Sequence, residues 1–93
     1  MSRARKAAAN AIKHGVSFDE AATVFDDPQG LDGPDLLHSE EERRSRRQGR
    51  TAAGRLLMVG YTRRRQGDVE NIRIITARPP SRKERATYTA ARD

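Results

Sequence analysis

Two short apolar runs in the second half of the chain constrain its fold most. Residues 56–62 (LLMVGYT) and residues 72–77 (IRIITA) are rich in aliphatic and β-branched side chains, which favour β-strands. The segment between them, residues 63–70, is polar and contains the sequence QGD at 66–68, which is typical of a turn. The pattern predicts two antiparallel strands joined by a hairpin loop over residues 63–70.

The N-terminal part of the chain carries the pattern of two helices joined by a glycine. Residues 3–13 are rich in alanine at helical spacing, and Gly15 follows as a residue suited to a left-handed helix end. Ser17 and Glu20 then form a capping box, in which the hydroxyl and the carboxylate each accept a hydrogen bond from a free backbone N–H. Apolar residues at positions 18, 21, 22 and 25 share one face, which predicts a second helix over residues 17–25.

The remaining segments complete an α+β layout. Residues 28–42 contain two glycines and two prolines and predict a loop. Residues 43–50 are a strand candidate by position alone, because their side chains do not alternate between apolar and polar. Ser81 and Glu84 repeat the capping-box pattern and open a last helix. We therefore predict one α+β domain over residues 1–93, with two N-terminal helices, an antiparallel sheet and a C-terminal helix.

Charge is distributed unevenly along the chain. Residues 1–42 carry four basic and nine acidic side chains, whereas residues 43–93 carry fifteen basic and four acidic ones. Most of the basic residues are arginines, whose guanidinium presents paired donors to phosphate and stays charged. Two interpretations follow from charge alone: a surface that contacts nucleic acid, or an arginine-rich surface that is only solvated.

The composition also limits the classes of function. Cysteine is absent and the two histidines lie far apart in sequence, so no disulfide framework, metal cluster or cofactor is expected. No apolar run approaches the ~18 residues that span a membrane, and the basic N-terminus lacks the apolar stretch of a secretory signal. We expect a cytoplasmic protein. Only 34% of the residues are apolar, so a partner that binds the folded state would add stability to a small core.

Over nearly its whole length, the chain resembles the BrnT toxin family. The N-terminal part of the match is KHGVSFDEA at 13–21 and VFDDP at 24–28, with Lys6 and Asn10. The central part is HSE at 38–40, ER at 42–43 and GRLL at 54–57. The C-terminal part is YT at 61–62, IRIITAR at 72–78, RKER at 82–85 and Tyr88.

This resemblance implies a RelE-like fold, RNA cleavage without a metal ion and inhibition by a BrnA-like antitoxin protein. It also implies contact with DNA only indirectly, through the antitoxin. Among the departures from the family pattern are two that bear on activity: residues 44–48 lack apolar side chains at alternate positions, and Pro79-Pro80 stand where family members commonly carry Lys-Ala. They support an alternative, a catalytically degenerate member that only binds RNA or the antitoxin. A small DNA-binding regulator is a third hypothesis, although no helix-turn-helix with a basic recognition helix is apparent.

Metal-independent RNA cleavage uses the ribose 2′-hydroxyl as nucleophile, and it needs positive charge at the phosphate and groups that exchange protons. Strand alternation predicts that Arg78 shares a face with residues 72, 74 and 76, and that Arg73 lies on the other face with residues 75 and 77. We expect a cluster at the end of this strand and on the last helix. The predicted catalytic residues are Arg78, Arg85, Tyr88, Arg63 and His38, and the predicted RNA-binding residues are Arg73, Arg82, Lys83 and Arg64.

Each of these assignments has a structural alternative. The basic residues after position 81 are equally compatible with a solvated helix face, on which Tyr88 packs as a core aromatic. Arg64 lies at a hairpin tip, which is solvated by default. His38 is suited to proton transfer near neutral pH, or it only forms hydrogen bonds with the acidic residues that follow it. His14 is expected to cap a helix.

Overall fold

The computed structural model describes residues 3–35 and 44–92 and has the predicted α+β architecture. Its four strands form an antiparallel sheet in the order β1-β2-β3-β4. The elements in chain order are α1 (Arg3–His14), α2 (Phe18–Ala22), a 3-10 turn (Thr23–Asp26), β1 (Leu31–Pro34), β2 (Arg44–Arg50), β3 (Leu56–Gln66), β4 (Val69–Arg78) and α3 (Arg82–Arg92). No helix within these two ranges is long and apolar enough to cross a membrane.

The caps confirm the end of the first predicted helix and the start of the second, whereas the predicted helix over 17–25 is α-helical only over Phe18–Ala22 and continues as the 3-10 turn. Gly15 has φ 67°, and its N–H donates to the Ala11 carbonyl at 2.9 Å, so α1 ends in a left-handed residue. The Ser17 hydroxyl accepts a hydrogen bond from the Glu20 N–H at 3.0 Å. The Glu20 carboxylate, however, binds the Arg55 side chain and accepts from the Thr51 hydroxyl at 3.1 Å. Only one half of the first capping box is therefore used at the helix itself.

Both predicted loops contain residues that form strands. β3 continues to Gln66 and β4 begins at Val69, so most of the predicted loop 63–70 is strand and the turn centres on Gly67, with φ 61°. Backbone hydrogen bonds between strands do not depend on apolar side chains, and the polar residues here pair across the hairpin. The predicted loop 28–42 likewise contains β1, and its part from residue 36 onward lies outside the described residues.

Strand β2 lies between β1 and β3, and its side chains explain why its sequence lacks apolar alternation. The positions that face the helices are Ser45, Arg47 and Gly49, none of which is a large apolar residue. A Cβ at Gly49 would lie 3.2 Å from the Val24 carbonyl oxygen, so a glycine lets the 3-10 turn approach the strand closely. The predicted strand at 43–50 is thus present as Arg44–Arg50.

One side of the sheet, the core face, packs against α1, α2 and the 3-10 turn. The hydrophobic core formed between this face and the helices contains the buried residues Val16, Ala21, Val24, Leu57, Val59, Ile74 and Ala77. Asn10 of α1 is also buried and joins this helix to β4: its amide donates to the Val16 carbonyl at 3.0 Å and to the Ala77 carbonyl at 2.8 Å, and its oxygen accepts from the Ala77 N–H at 3.0 Å. These bonds satisfy backbone groups that would otherwise be buried without partners.

A β-bulge changes which residues of β4 share a face. Tyr61 pairs with Ile74 and Gly60 pairs with Thr76, so Ile75 has no partner across the strands. Ile74 and Ala77 therefore both belong to the core. The prediction from uninterrupted alternation, which put Arg73 and Arg78 on opposite faces, is wrong, because one extra residue shifts the alternation by one position.

Helix α3 lies against the other face of the sheet. Arg47 contacts the 3-10 turn from the core face, whereas its neighbour Arg46 points the opposite way and lies 3.6 Å from Glu84 of α3. The second capping box is complete: the Ser81 N–H donates to the Glu84 carboxylate at 2.8 Å, and the Glu84 N–H donates to the Ser81 hydroxyl at 3.1 Å. This cap fixes where α3 starts and where Glu84 points.

Candidate functional site

The face of the sheet opposite the core carries a set of arginines in neighbouring positions. Residues paired across antiparallel strands share a face, and the register aligns Arg44 with Thr62 and Arg73. The next rows align Arg46 with Gly60 and Thr76, and Gln48 with Met58 and Arg78, while Arg64 pairs with Asn71 farther along the hairpin. We call this surface the arginine face; its members are Arg44, Arg46, Arg64, Arg73 and Arg78.

Three of these arginines surround a concavity of about 140 Å³, which we call the arginine pocket. Gly60 lies in the middle strand of the pocket, where a Cβ would come within 2.7 Å of the Thr76 hydroxyl. A glycine at this position keeps the floor of the pocket open. The residues that line the pocket are Asp35, Arg44, Arg46, Met58, Gly60, Ile75, Thr76 and Arg78.

Arg78 is held in place by Glu84. Its Nη1 and Nη2 atoms donate to the two oxygens of the Glu84 carboxylate at 2.8 and 3.0 Å, and Nη1 also donates to the Pro79 carbonyl at 3.2 Å. These bonds lower the pKa of Glu84 to about 2, although burial acts in the opposite direction. They also raise the pKa of Arg78. A guanidinium has five N–H donors, and among the described residues no partner occupies the edge formed by Nε and the second Nη2 hydrogen, where another anion could bind.

Not every arginine of β2 faces this pocket. Arg47 lies on the core face, where Nε donates to the Val24 carbonyl at 2.9 Å and Nη2 donates to the Asp27 carbonyl at 2.6 Å. It also pairs with Asp32, and its guanidinium carbon lies 5.7 Å from the centroid of the Phe25 ring. Its role is to join the 3-10 turn and β1 to the sheet.

The structure does not gather the predicted residues of α3 around Arg78. Arg82, Lys83 and Arg85 are exposed on α3, which turns Glu84 and Tyr88 towards the sheet. Tyr88 is 1% exposed; its hydroxyl donates to the Asp27 carboxylate at 2.7 Å, and Arg50 lies over its ring. The pKa of Asp27 lies below its usual value. Burial is the largest single influence and raises this pKa, but the hydrogen bonds that Asp27 accepts, among them those from the Arg50 N–H and the Tyr88 hydroxyl, outweigh it.

The predicted residues of the hairpin are divided between the two faces. Arg63 extends from the same side of β3 as Tyr61, with its guanidinium 5.7 Å from the centre of that ring and its Nε 3.5 Å from Glu70. It is therefore separated from Arg78 by the sheet. Arg64 and Arg73 lie on the arginine face, as defined above. His38 lies outside the described residues.

Sequence reasoning missed Arg44, Arg46, Asp35 and Glu84 as residues of this site. The spacing of Arg44 and Arg46 was the available signal, because positions two apart in a strand share a face. The sequence predicts Glu84 only as a helix cap, whereas in the structure Glu84 both caps α3 and binds Arg78. Nothing in the sequence indicated that Asp35 would lie beside β2.

A comparison with protein-family models gives a match to the family described as "Ribonuclease toxin, BrnT, of type II toxin-antitoxin system", over residues 3–84. The matched segment includes Arg78 and ends at Glu84, so the predicted residues Arg85 and Tyr88 lie beyond it. A comparison with curated proteins found no match.

Proposed function

This chain belongs to the BrnT family of ribonuclease toxins of type II toxin–antitoxin systems, and on that premise we propose that it is an endoribonuclease that cleaves RNA in the arginine pocket without a metal ion. The observation that carries the proposal is the position of Arg44, Arg46 and Arg78 around one concavity. A phosphodiester gains negative charge as the 2′-hydroxyl attacks it, and fixed cations at that point stabilise the transition state.

Arg78 is suited to bind the scissile phosphate. Glu84 occupies one edge of its guanidinium and fixes its direction, while the edge with Nε remains for two phosphate oxygens. Arg46 and Arg44 add charge from the neighbouring strand. The remaining predicted residues, Arg82, Lys83 and Arg85, lie on α3 outside the lining of the pocket. Arg85 reaches the phosphate only if the RNA also passes over α3, where Arg82 and Lys83 would contact the flanking RNA.

The arginine face extends the pocket into a surface for a single RNA strand. Arg73 and Arg64 continue the line of positive charge from the pocket towards the hairpin.

Three predicted residues require further conditions. Tyr88 takes part in proton transfer only if its hydroxyl leaves Asp27. Arg63 reaches an RNA only if the strand passes round the hairpin, and His38 is proposed from sequence alone. The charge of the pocket therefore remains the main support for catalysis.

We infer that a BrnA-like antitoxin neutralises the toxin by covering this basic surface in the cytoplasm. Membership of a type II family implies an antitoxin protein as partner. Opposite charges accelerate association, and the attraction between them weakens as the salt concentration rises. The complex contacts DNA through the antitoxin alone.

Cleavage of a short RNA by the purified chain in the presence of EDTA tests the proposal. We expect products that end in a 2′,3′-cyclic phosphate, and no cleavage of an oligonucleotide with 2′-deoxyribose throughout. Addition of the protein encoded beside the toxin gene should stop the reaction. If the folded chain binds RNA but never cuts it, alone or on ribosomes, the alternative of a non-catalytic binding member replaces the proposal.

A further inference from the structure

The proposed reaction needs a group that removes the proton from the 2′-hydroxyl, and the arginine pocket limits which residue this is. Arginine stays protonated in proteins and does not accept protons. Both oxygens of Glu84 are occupied by Arg78, and its pKa of about 2 makes it a weak base. Tyr88 is buried against Asp27. One carboxylate lines the pocket among the described residues, that of Asp35.

Asp35 is fixed to the sheet at the edge of the pocket. It directly follows β1, and its N–H donates to the Arg44 carbonyl at 3.0 Å, which continues the pairing of β1 with β2. The residue is half-buried. Its negative charge contributes to the raised pKa of Arg78, so the carboxylate acts on the pocket from the side opposite β4.

We propose that Asp35 is the general base of this site, which takes the proton of the ribose 2′-hydroxyl while the arginines hold the neighbouring phosphate. The proposal rests on the proposed ribonuclease function. In this proposal the residue that follows β1 removes the proton, and Glu84 only positions Arg78.

The step balances without a further reagent. The 2′-oxygen forms a bond to phosphorus as its proton passes to a carboxylate oxygen of Asp35, and the bond between phosphorus and the 5′-oxygen breaks. The leaving oxygen takes a proton from water, and Asp35 later returns its proton to solvent. The products are a 2′,3′-cyclic phosphate and a free 5′-hydroxyl.

Among the described residues that line the pocket, the charged groups around Asp35 are basic. Arg44 and Arg46 approach from β2 and Arg78 from β4, while β3 contributes the uncharged Met58 and Gly60. Glu84 of α3 lies behind Arg46 and Arg78. A general base acts only in its deprotonated form, so kcat/KM should rise with pH on the acidic side of its profile and then level.

Asp35→Asn tests the proposal, with Asp68→Asn as the control that removes an exposed acid at the hairpin turn. Two quantities are measured for each folded variant: the rate of RNA cleavage across pH, and the affinity for a 2′-deoxy oligonucleotide that cannot be cut. For Asp35→Asn we expect cleavage to fall by about 100-fold or more, loss of the acidic rise, and affinity equal to or above that of the parent. Asp35→Glu should recover part of the rate together with the acidic rise.

Two results would overturn the inference. If Asp35→Asn cleaves as fast as the parent with an unchanged pH profile, another group is the base. If cleavage and analogue binding fall together, Asp35 only supports the fold of the pocket. Both results are compatible with the proposed ribonuclease function. If the parent protein cuts no RNA under any condition, that result rules out the proposed function and, with it, the role of Asp35 as base.

Discussion

The two faces of the sheet use arginine for different purposes. Arg46 and Arg47 are neighbours in β2, yet 49% of the Arg46 side chain is exposed and only 12% of the Arg47 side chain is. Arg47 is held by the Val24 and Asp27 carbonyls on the core face, whereas Arg46 lines the pocket. The side of the strand, and not the type of residue, decides whether an arginine stabilises the fold or is placed to meet a ligand.

The largest effect should come from Arg47→Ala. Its removal takes away one hydrogen bond each from the Val24 carbonyl, the Asp27 carbonyl and the Asp32 carboxylate. At about 1 kcal/mol for each bond, we expect the free energy of unfolding to fall by about 3 kcal/mol. Arg46→Ala is the matched control and should change it by less than about 0.5 kcal/mol, as an exposed site does. Urea unfolding followed by circular dichroism measures both. Equal losses in the two variants would end the distinction between the faces.

Acid should reveal the pair that anchors the pocket. The pKa of Glu84 falls from 4.5 in the unfolded chain to about 2 in the fold. Its contribution is therefore complete above pH 4.5 and is lost as the pH falls towards 2. We expect a loss on the order of 2 kcal/mol, reduced by the partial exposure of Arg78. Unfolding curves of Glu84→Gln should fall less steeply over this range, and curves of Glu70→Gln, on the exposed hairpin, should follow the parent.

RNA cleavage should depend on the predicted arginines of the pocket and of α3, with a free-energy effect smaller than the two above. We expect Arg78→Ala and Arg85→Ala each to slow RNA cleavage by at least ~10-fold, about 1.4 kcal/mol of transition-state stabilisation. Arg78→Lys should recover only part, because a point charge replaces a fork. Arg64→Ala, on the hairpin, is the control: it should lower RNA binding modestly and in a salt-dependent way.

The two variants also separate the pocket from α3. A slow Arg78→Ala beside a fast Arg85→Ala would confine the chemistry to the pocket. Parental rates for both, in proteins that circular dichroism finds folded, would contradict the proposed site.

The smallest effect concerns binding outside the pocket. Arg73→Ala should lower the affinity for single-stranded RNA modestly and reduce the salt dependence, the slope of log K against log salt, by about 0.7 for one phosphate contact. Arg63→Ala, on the other side of the sheet, should leave this slope unchanged. A larger change in Arg63→Ala than in Arg73→Ala would contradict the proposal, because it would place the RNA on the side of the sheet opposite the arginine face.

Features set by neighbouring residues could be predicted. Gly15, the serine caps at 17 and 81 and the strands at 56–62 and 72–77 all appear near the expected positions, because each depends on local backbone preference or apolar content. The extent of the hairpin could not be predicted. Its outer part is polar and is held by backbone bonds between strands, with pairs such as Arg63 and Glu70.

The sequence by itself determined the kinds of element, the excess of arginine in the second half and the family to which the chain belongs. Only the tertiary structure decided which arginines share a surface. The bulge at Ile75 lets Ile74 and Ala77 both enter the core, which turns Arg73 and Arg78 to the same side. Alternation along one strand cannot foresee such a shift, because it arises from the packing of that strand against its neighbours.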